Sequence, residues 1–234
     1  MRKGNIFIKA MFLTLLLGCH NSGKEKAIAK DSGRLQTIDP KDVLMTVPTI
    51  ENAFPDFEKN SDTNNLNILE DDWRQLEFIS KDQKRLIDEE IDSISYIFDH
   101  ELHQGKDYYA FKRLYVRNLI PAPINLPSAH FLAALGNGNE KLTGVSVRNY
   151  NGQIKNGFSI TLGGVYYYGR LDDGNNIVTL CIYAAESDED LQNSIERLSK
   201  FLGTKNLYLV DWEHRTVLDE KNTQQLVALF ENKM

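Results

Sequence analysis

Two histidines three residues apart, His100 and His103 in the stretch DHELH, come closest to a metal site by type and spacing. On a helix, positions i and i+3 share a face, so both imidazoles can reach one ion. The spacing falls one residue short of H-E-x-x-H, the helical pattern that supplies two zinc ligands and a general base. Gln104 stands where the second histidine belongs. A third ligand would have to come from His130, His214 or a distant carboxylate, and no spacing points to one. A helix C-terminus also favours a histidine through its dipole, with no metal needed. We therefore expect no metal and no cofactor here.

The candidate nucleophiles are equally plain. NGFSITLGG sets Gly157 and Ser159 in the places of the nucleophile elbow G-x-S-x-G, but Thr161 replaces the second glycine. The serine lies inside an alternating strand, so its hydroxyl is expected on a solvated sheet face. Cys181, in IVTLCIYA, reads as a small buried hydrophobe. The acidic run at 188–190 suits a helix N-terminus, where negative charge is stabilised; the run at 70–72 has no such account. DDGNN lacks the length and terminal Glu of a calcium loop. No catalytic set is expected.

Binding chemistry is more legible. In GGVYYYGR, Tyr166 and Tyr168 share one strand face while Val165, Tyr167 and Gly169 share the other. If the second face is the core, Tyr166 and Tyr168 stand outward beside Arg170, residue types enriched at interface hot spots. Trp73 and Trp212 are expected in the core.

The remaining reactive residue is Cys19. Arg2 and Lys3 precede an apolar run, uncharged from Ala10 to Leu17, that ends in Leu16-Leu17-Gly18-Cys19. The run is shorter than the ~20 apolar residues a bilayer span needs and suits the core of a secretory signal. The last four residues resemble the lipobox of bacterial lipoproteins. That resemblance covers the leader alone and implies cleavage before Cys19, a diacylglycerol on its thiol and an acylated amine. At about 0.8 kcal/mol per buried CH2, two or three acyl chains hold a protein to a membrane where one is marginal. No Asp follows Cys19, so the inner-membrane retention signal known in some lipoproteins is missing; the destination is the cell membrane or the outer membrane.

The elements that would position these groups follow from periodicity. Residues 19–61 are expected to form a lipid-anchored tether, polar up to 42, with enough apolar side chains at 43–57 to dock on the body. Pro48 and Pro55 argue against a central strand there. Ser80 and Gln83 make a capping box before a helix whose stripe is Ile87, Ile91, Ile94, Phe98 and Leu102, ending at Gly105. Residues 109–120 read as one strand. A short helix is expected over 128–135, with Ser128 as cap and Gly136 as stop. Strands follow, punctuated by the hairpin dipeptides Asn151-Gly152 and Asp173-Gly174. Ser187 and Asp190 cap a helix carrying Leu191, Ile195, Leu198 and Leu202 to Gly203. LYLVDW and RTVL form a hairpin, and Asn222 opens a last helix.

The fold class is thus α+β, a mainly antiparallel sheet with three main helices, as a single domain over 62–234 behind the tether and the 1–18 signal peptide. Cysteine use leaves no intramolecular disulfide once Cys19 carries lipid. The chain has 27 basic and 33 acidic residues. Losing Arg2, Lys3 and Lys9 with the leader would leave 24 against 33, a charge of −9. Such a surface disfavours nucleic acid, whose phosphates need clustered Lys and Arg, and suits a basic protein partner. The expected function is a lipid-anchored, non-catalytic envelope binding module, for instance an inhibitor or immunity-type protein acting by occlusion. The second reading is an envelope hydrolase around His100 and His103.

Overall fold

The computed structural model describes residues 44–52, 55–59, 65–104, 109–119, 121–136, 141–185 and 191–233. The leader, Cys19, Ser187 and the acidic run at 188–190 lie outside the described residues.

In chain order the elements are β1 (Thr49–Glu51), β2 (Phe57–Glu58), β3 (Leu66–Ile68), β4 (Leu76–Ser80), α1 (Lys84–Glu101), β5 (Leu102–Gln104), β6 (Tyr109–Phe111), β7 (Tyr115–Arg117) and β8 (Leu126–Pro127). Then come α2 (Ser128–Leu135), β9 (Val145–Val147), β10 (Gln153–Ile154), β11 (Gly157–Leu162), β12 (Val165–Leu171), β13 (Asn176–Ala185), α3 (Leu191–Lys205), β14 (Leu207–Asp211), β15 (Thr216–Leu218) and α4 (Thr223–Lys233). The fold is α+β with a mainly antiparallel sheet. Its main sheet runs β11-β12-β13-β4-β14-β15, with β8 added beside β13, and every pairing in it is antiparallel. Two parallel pairs, β1 with β7 and β3 with β9, lie outside that sheet.

Alternation along the strands gives the sheet two buried faces. Leu76 and Phe78 of β4 join Tyr167, Leu180 and Leu209 on one face, where Phe131, Leu198, Phe201, Leu226 and Phe230 from α2, α3 and α4 cover them. Phe131 is the centre of this packing, its ring edge-on to Tyr167 at 5.4 Å and to Phe201 at 6.1 Å. Each such side chain contributes about 1.5–3 kcal/mol by leaving water. The opposite face carries two separate clusters. Tyr168 and Cys181 pack with Ile68, Trp73, Val145, Val147 and Ile154 under β3, β9 and β10. Ile79, Val210 and Trp212 pack with Ile87, Ile94 and Leu119 under α1.

Element ends depart from the periodic reading for local reasons. Ser80 caps a short 3-10 turn over 81–83, its Oγ accepting from the Asp82 amide at 3.3 Å, and α1 begins after it at Lys84. The Gln83 side chain accepts from the Ala122 amide at 2.7 Å. The helix stops at Glu101 because Leu102 turns extended and starts the β5–β6 hairpin. Residues 109–120 hold two short strands, β6 and β7, rather than one. Pro127, not Ser128, takes the N-cap position of α2, while Gly136 does end it. Helix α3 runs past Gly203 until Asn206 adopts a left-handed backbone (φ 55°). Asp173-Gly174 does mark the β12–β13 hairpin, its turn held by the Asp172 carboxylate on the Gly174 and Asn176 amides. The strands beside Asn151-Gly152 pair elsewhere, β9 with β3 and β10 with β2.

The segment placed by composition in the tether is partly built into the body. β1 lies alongside β7, β2 alongside β10, and Val47, Thr49 and Glu51 are buried. One backbone approach in the sheet is close enough to test. A Cβ on Gly169 would stand 2.0 Å from the Thr179 carbonyl oxygen of the neighbouring strand. Gly169→Ala is therefore expected to lower the urea midpoint by the equivalent of about 1–3 kcal/mol, the usual range for overpacking.

Candidate functional site

Four charges sit where a sheet protein normally keeps apolar groups. The face opposite α2, α3 and α4 is crossed by one row of cross-strand neighbours, Tyr168, Cys181, Glu77 and Val210, on β12, β13, β4 and β14. Glu77 thus falls between the Tyr168 cluster and the α1 cluster, with its side chain 2 % exposed. Three other elements bring charges to it. Arg74 comes from the turn before β4, and the parallel register of β1 and β7 pairs Glu51 with Arg117.

Arg74 binds Glu77 Oε1 through Nε at 2.8 Å and Nη2 at 2.5 Å, and reaches Glu51 Oε2 through Nη1 at 3.3 Å. Arg117 Nη2 donates to the Arg74 carbonyl at 3.1 Å and lies 3.8 Å from Glu51 Oε2. Its guanidinium also stands 5.2 Å from the Trp212 ring centroid, a cation–π placement. Arg74 itself is in the left-handed backbone region (φ 58°), which costs a non-glycine residue of order 1 kcal/mol or more. That conformation lets its amide donate to the Tyr168 hydroxyl at 2.8 Å, while the same hydroxyl donates to the Asp72 carbonyl at 2.9 Å. Gln75 closes the centre, its Nε2 donating to the Thr49 and Asp71 carbonyls, both at 2.8 Å.

Electrostatics follow from this enclosure. Burial works against the Arg74 charge, but the Glu77 and Glu51 carboxylates outweigh it and hold the guanidinium above its usual range. Burial pushes the Glu77 carboxyl up, against the pull of Arg74. Burial likewise lowers Arg117, with Glu51 and Glu77 opposing. The Cys181 thiol is driven far above its ordinary value, by burial first and by the Glu77 carboxylate next. It stays a thiol, without the thiolate character that nucleophilic chemistry needs. Chemically the centre is a set of compensated charges that ties β1, β4, β7 and the 73–75 turn into one unit.

The residues singled out from sequence are scattered around it. Tyr168 is fully buried and hydrogen-bonded, so it does not stand outward; Trp73 packs against its ring at 5.6 Å. Tyr168 is covered by the turn that carries Asp72, Trp73 and Arg74 and by residues of β3, β9 and β10, which lie far away in sequence. Tyr166 and Arg170 are half-buried. Ser159 is buried rather than solvated, its Oγ donating to the Gly144 carbonyl at 2.6 Å. His100 and His103 do not share a helix face, because His103 belongs to β5. His100 Nδ1 instead lies 2.9 Å from the Tyr96 carbonyl. His130 is exposed on α2. His214 Nδ1 lies 2.9 Å from the buried Asp211 carboxylate, in the turn between β14 and β15. Among the described residues no three of His, Cys, Asp and Glu gather as a metal set. Glu70 and Asp71 of the first acidic run accept from the Tyr150 hydroxyl and Thr46.

Sequence reasoning missed Glu51, Arg74, Glu77 and Arg117. The available signal was a lone charge inside a strand-forming run: Glu77 in LEFIS and Arg117 in YVRN. The chain matches no protein-family model, no curated protein and no solved structure. Among the described residues no helix is long and apolar enough to cross a membrane.

Proposed function

We propose that this chain is an exported lipoprotein whose folded body is displayed from a bacterial membrane as a non-catalytic binding module, acting by occlusion of a basic protein partner. The observation that carries the reading is Leu16-Leu17-Gly18-Cys19 at the end of an apolar run behind Arg2 and Lys3. A thiol is the side chain best suited to alkylation by a lipid, and a small residue before it admits the peptidase. The excess of acidic residues supports a basic partner.

Cys19→Ser tests the anchor, since a serine hydroxyl does not take the lipid. Cells fed radiolabelled palmitate are expected to label the wild-type chain in the membrane fraction and to leave the variant unlabelled. Wild-type chain that takes no label, or that is recovered from cytosol still starting at Met1, overturns the reading.

A further inference from the structure

We infer that the outer face of α1, centred on Tyr96 between Asp92 and Asp99, is the surface that receives the basic partner; this rests on the binding-module reading above.

Helix α1 buries Ile87, Glu90, Ile94 and Ile97 and turns the other side to solvent. That side is acidic. Between Lys84 and Glu101 the helix has two basic residues, Lys84 and Arg85, against Asp88, Glu89, Glu90, Asp92, Asp99 and Glu101. The first turns are neutralised along the helix by Lys84 with Asp88 and Arg85 with Glu89. Glu90 is taken inward, accepting from the Asn118 amide at 3.1 Å. Glu101 pairs with Arg113. The exposed acids beyond these pairs are Asp92 and Asp99, at helical spacing on either side of Tyr96.

Tyr96 is the most exposed large hydrophobic side chain among the described residues, at 55 %. It is held in place before any partner arrives. Its ring stacks on the His100 imidazole at 4.1 Å with 18° between planes, and His100 is pinned in turn by the Tyr96 carbonyl. A fixed aromatic loses little conformational freedom on binding, which is what makes such a residue an anchor. The large apolar side chains left exposed also concentrate on this flank. Of the four among the described residues, Tyr96, Leu102 and Val116 belong to α1, to β5 directly after it, and to β7, which packs against it. Arginine is the fitting counterpart: its guanidinium stacks on the open face of the phenol ring while reaching Asp92 or Asp99.

The test uses the full membrane-anchored chain with a photo-crosslinking phenylalanine analogue at position 96, and at exposed Lys200 on α3 for comparison. The expected result is one saturable adduct at position 96 whose crosslinked peptide is net basic. Asp92→Asn with Asp99→Asn should remove that adduct while leaving the thermal midpoint unchanged. With the captured partner in hand, Tyr96→Ala should weaken binding by about thirtyfold, as truncation of a hot-spot residue does. An adduct at position 200 and none at 96 overturns this surface and leaves the binding-module reading standing. No discrete adduct at either position overturns both. A neutral or acidic crosslinked peptide, or an adduct indifferent to the two aspartate changes, overturns the assignment of a basic partner to this face.

Discussion

Arg74→Met is expected to lower the stability of the fold by about 3–5 kcal/mol at neutral pH, the range for removing one partner of a buried ion pair. Methionine keeps most of the length and none of the charge. Glu77, which lies 2.5 Å from Arg74, then stays buried with its nearest cation gone. Of the groups that hold the Glu77 carboxyl down, the Arg74 charge is the largest, ahead of Arg117. Its folded pKa, already raised above the ordinary 4.5 by burial, therefore climbs further in the variant. A carboxyl whose folded pKa exceeds its unfolded one binds more protons folded than unfolded. Its contribution is full below the unfolded pKa and is lost as pH rises through the folded pKa. The variant should accordingly recover part of its deficit as pH falls from neutral toward 4.5. Urea midpoints of wild type and variant across that range measure the effect. Arg74→Met combined with Glu77→Leu removes both charges, leaves Glu51 with Arg117, and should restore most of the loss, as buried pairs replaced by apolar groups do. A deficit below about 1 kcal/mol would place the pair with exposed salt bridges. A deficit flat with pH would show that Glu77 does not carry the cost.

The same centre explains what periodicity reveals and what it hides. The spacing of Ile87 and Ile94, of Leu198 and Leu202, and the Asp173-Gly174 turn are local signals, and the corresponding helices and hairpin follow them. Alternation in VYYYGRL correctly separates Tyr167 from Tyr168. It does not say which face is covered, because both are. The partners of the Tyr168 hydroxyl are the Arg74 amide and the Asp72 carbonyl, and nothing near residue 168 announces them. The four buried charges are hidden in the same way. Each is an ordinary surface-type residue until the β1–β7 register sets Glu51 beside Arg117 and the turn before β4 swings Arg74 onto Glu77. The histidine pair fails for a local reason. The i, i+3 argument holds only inside a helix, and the hairpin contacts of Leu102 with Phe111 and His103 with Ala110 end α1 before the second histidine. Gly105 on its own predicts a later stop, but cross-strand pairing from Leu102 onward ends the helix first.

A chain starting at residue 62 is expected to be far less stable than one starting at residue 44, because the segment whose apolar side chains at 43–57 suit docking is built into the body. The difference comes from β1 and the residues around it. The Tyr115 amide donates to the Pro48 carbonyl and the Thr49 hydroxyl donates to the Tyr115 carbonyl, both at 2.8 Å. Met45 and Phe111 exchange backbone hydrogen bonds at 2.8 and 2.9 Å. Removing Glu51 leaves two buried guanidiniums, Arg74 and Arg117, to share the single carboxylate of Glu77. An uncompensated buried charge costs about 3–5 kcal/mol, and losing the burial of Val47 adds about 1.5–3 kcal/mol. Set against a typical total of about 5–15 kcal/mol, that loss is enough to unfold much of the population. Where the shorter chain still folds, its thermal midpoint should fall by at least about 10 °C at about 2–4 °C per kcal/mol. Circular dichroism melts of the two fragments, with Glu51→Gln in the longer one, separate the charge from the strand. Equal melting of the two fragments would mean that β1 adds nothing to the body. If Cys19 carries the proposed lipid, the described body begins at residue 44, 25 residues along the chain from it. Glu51, paired with Arg74 and Arg117, is the buried charge that ties β1 to the turn before β4 and to β7.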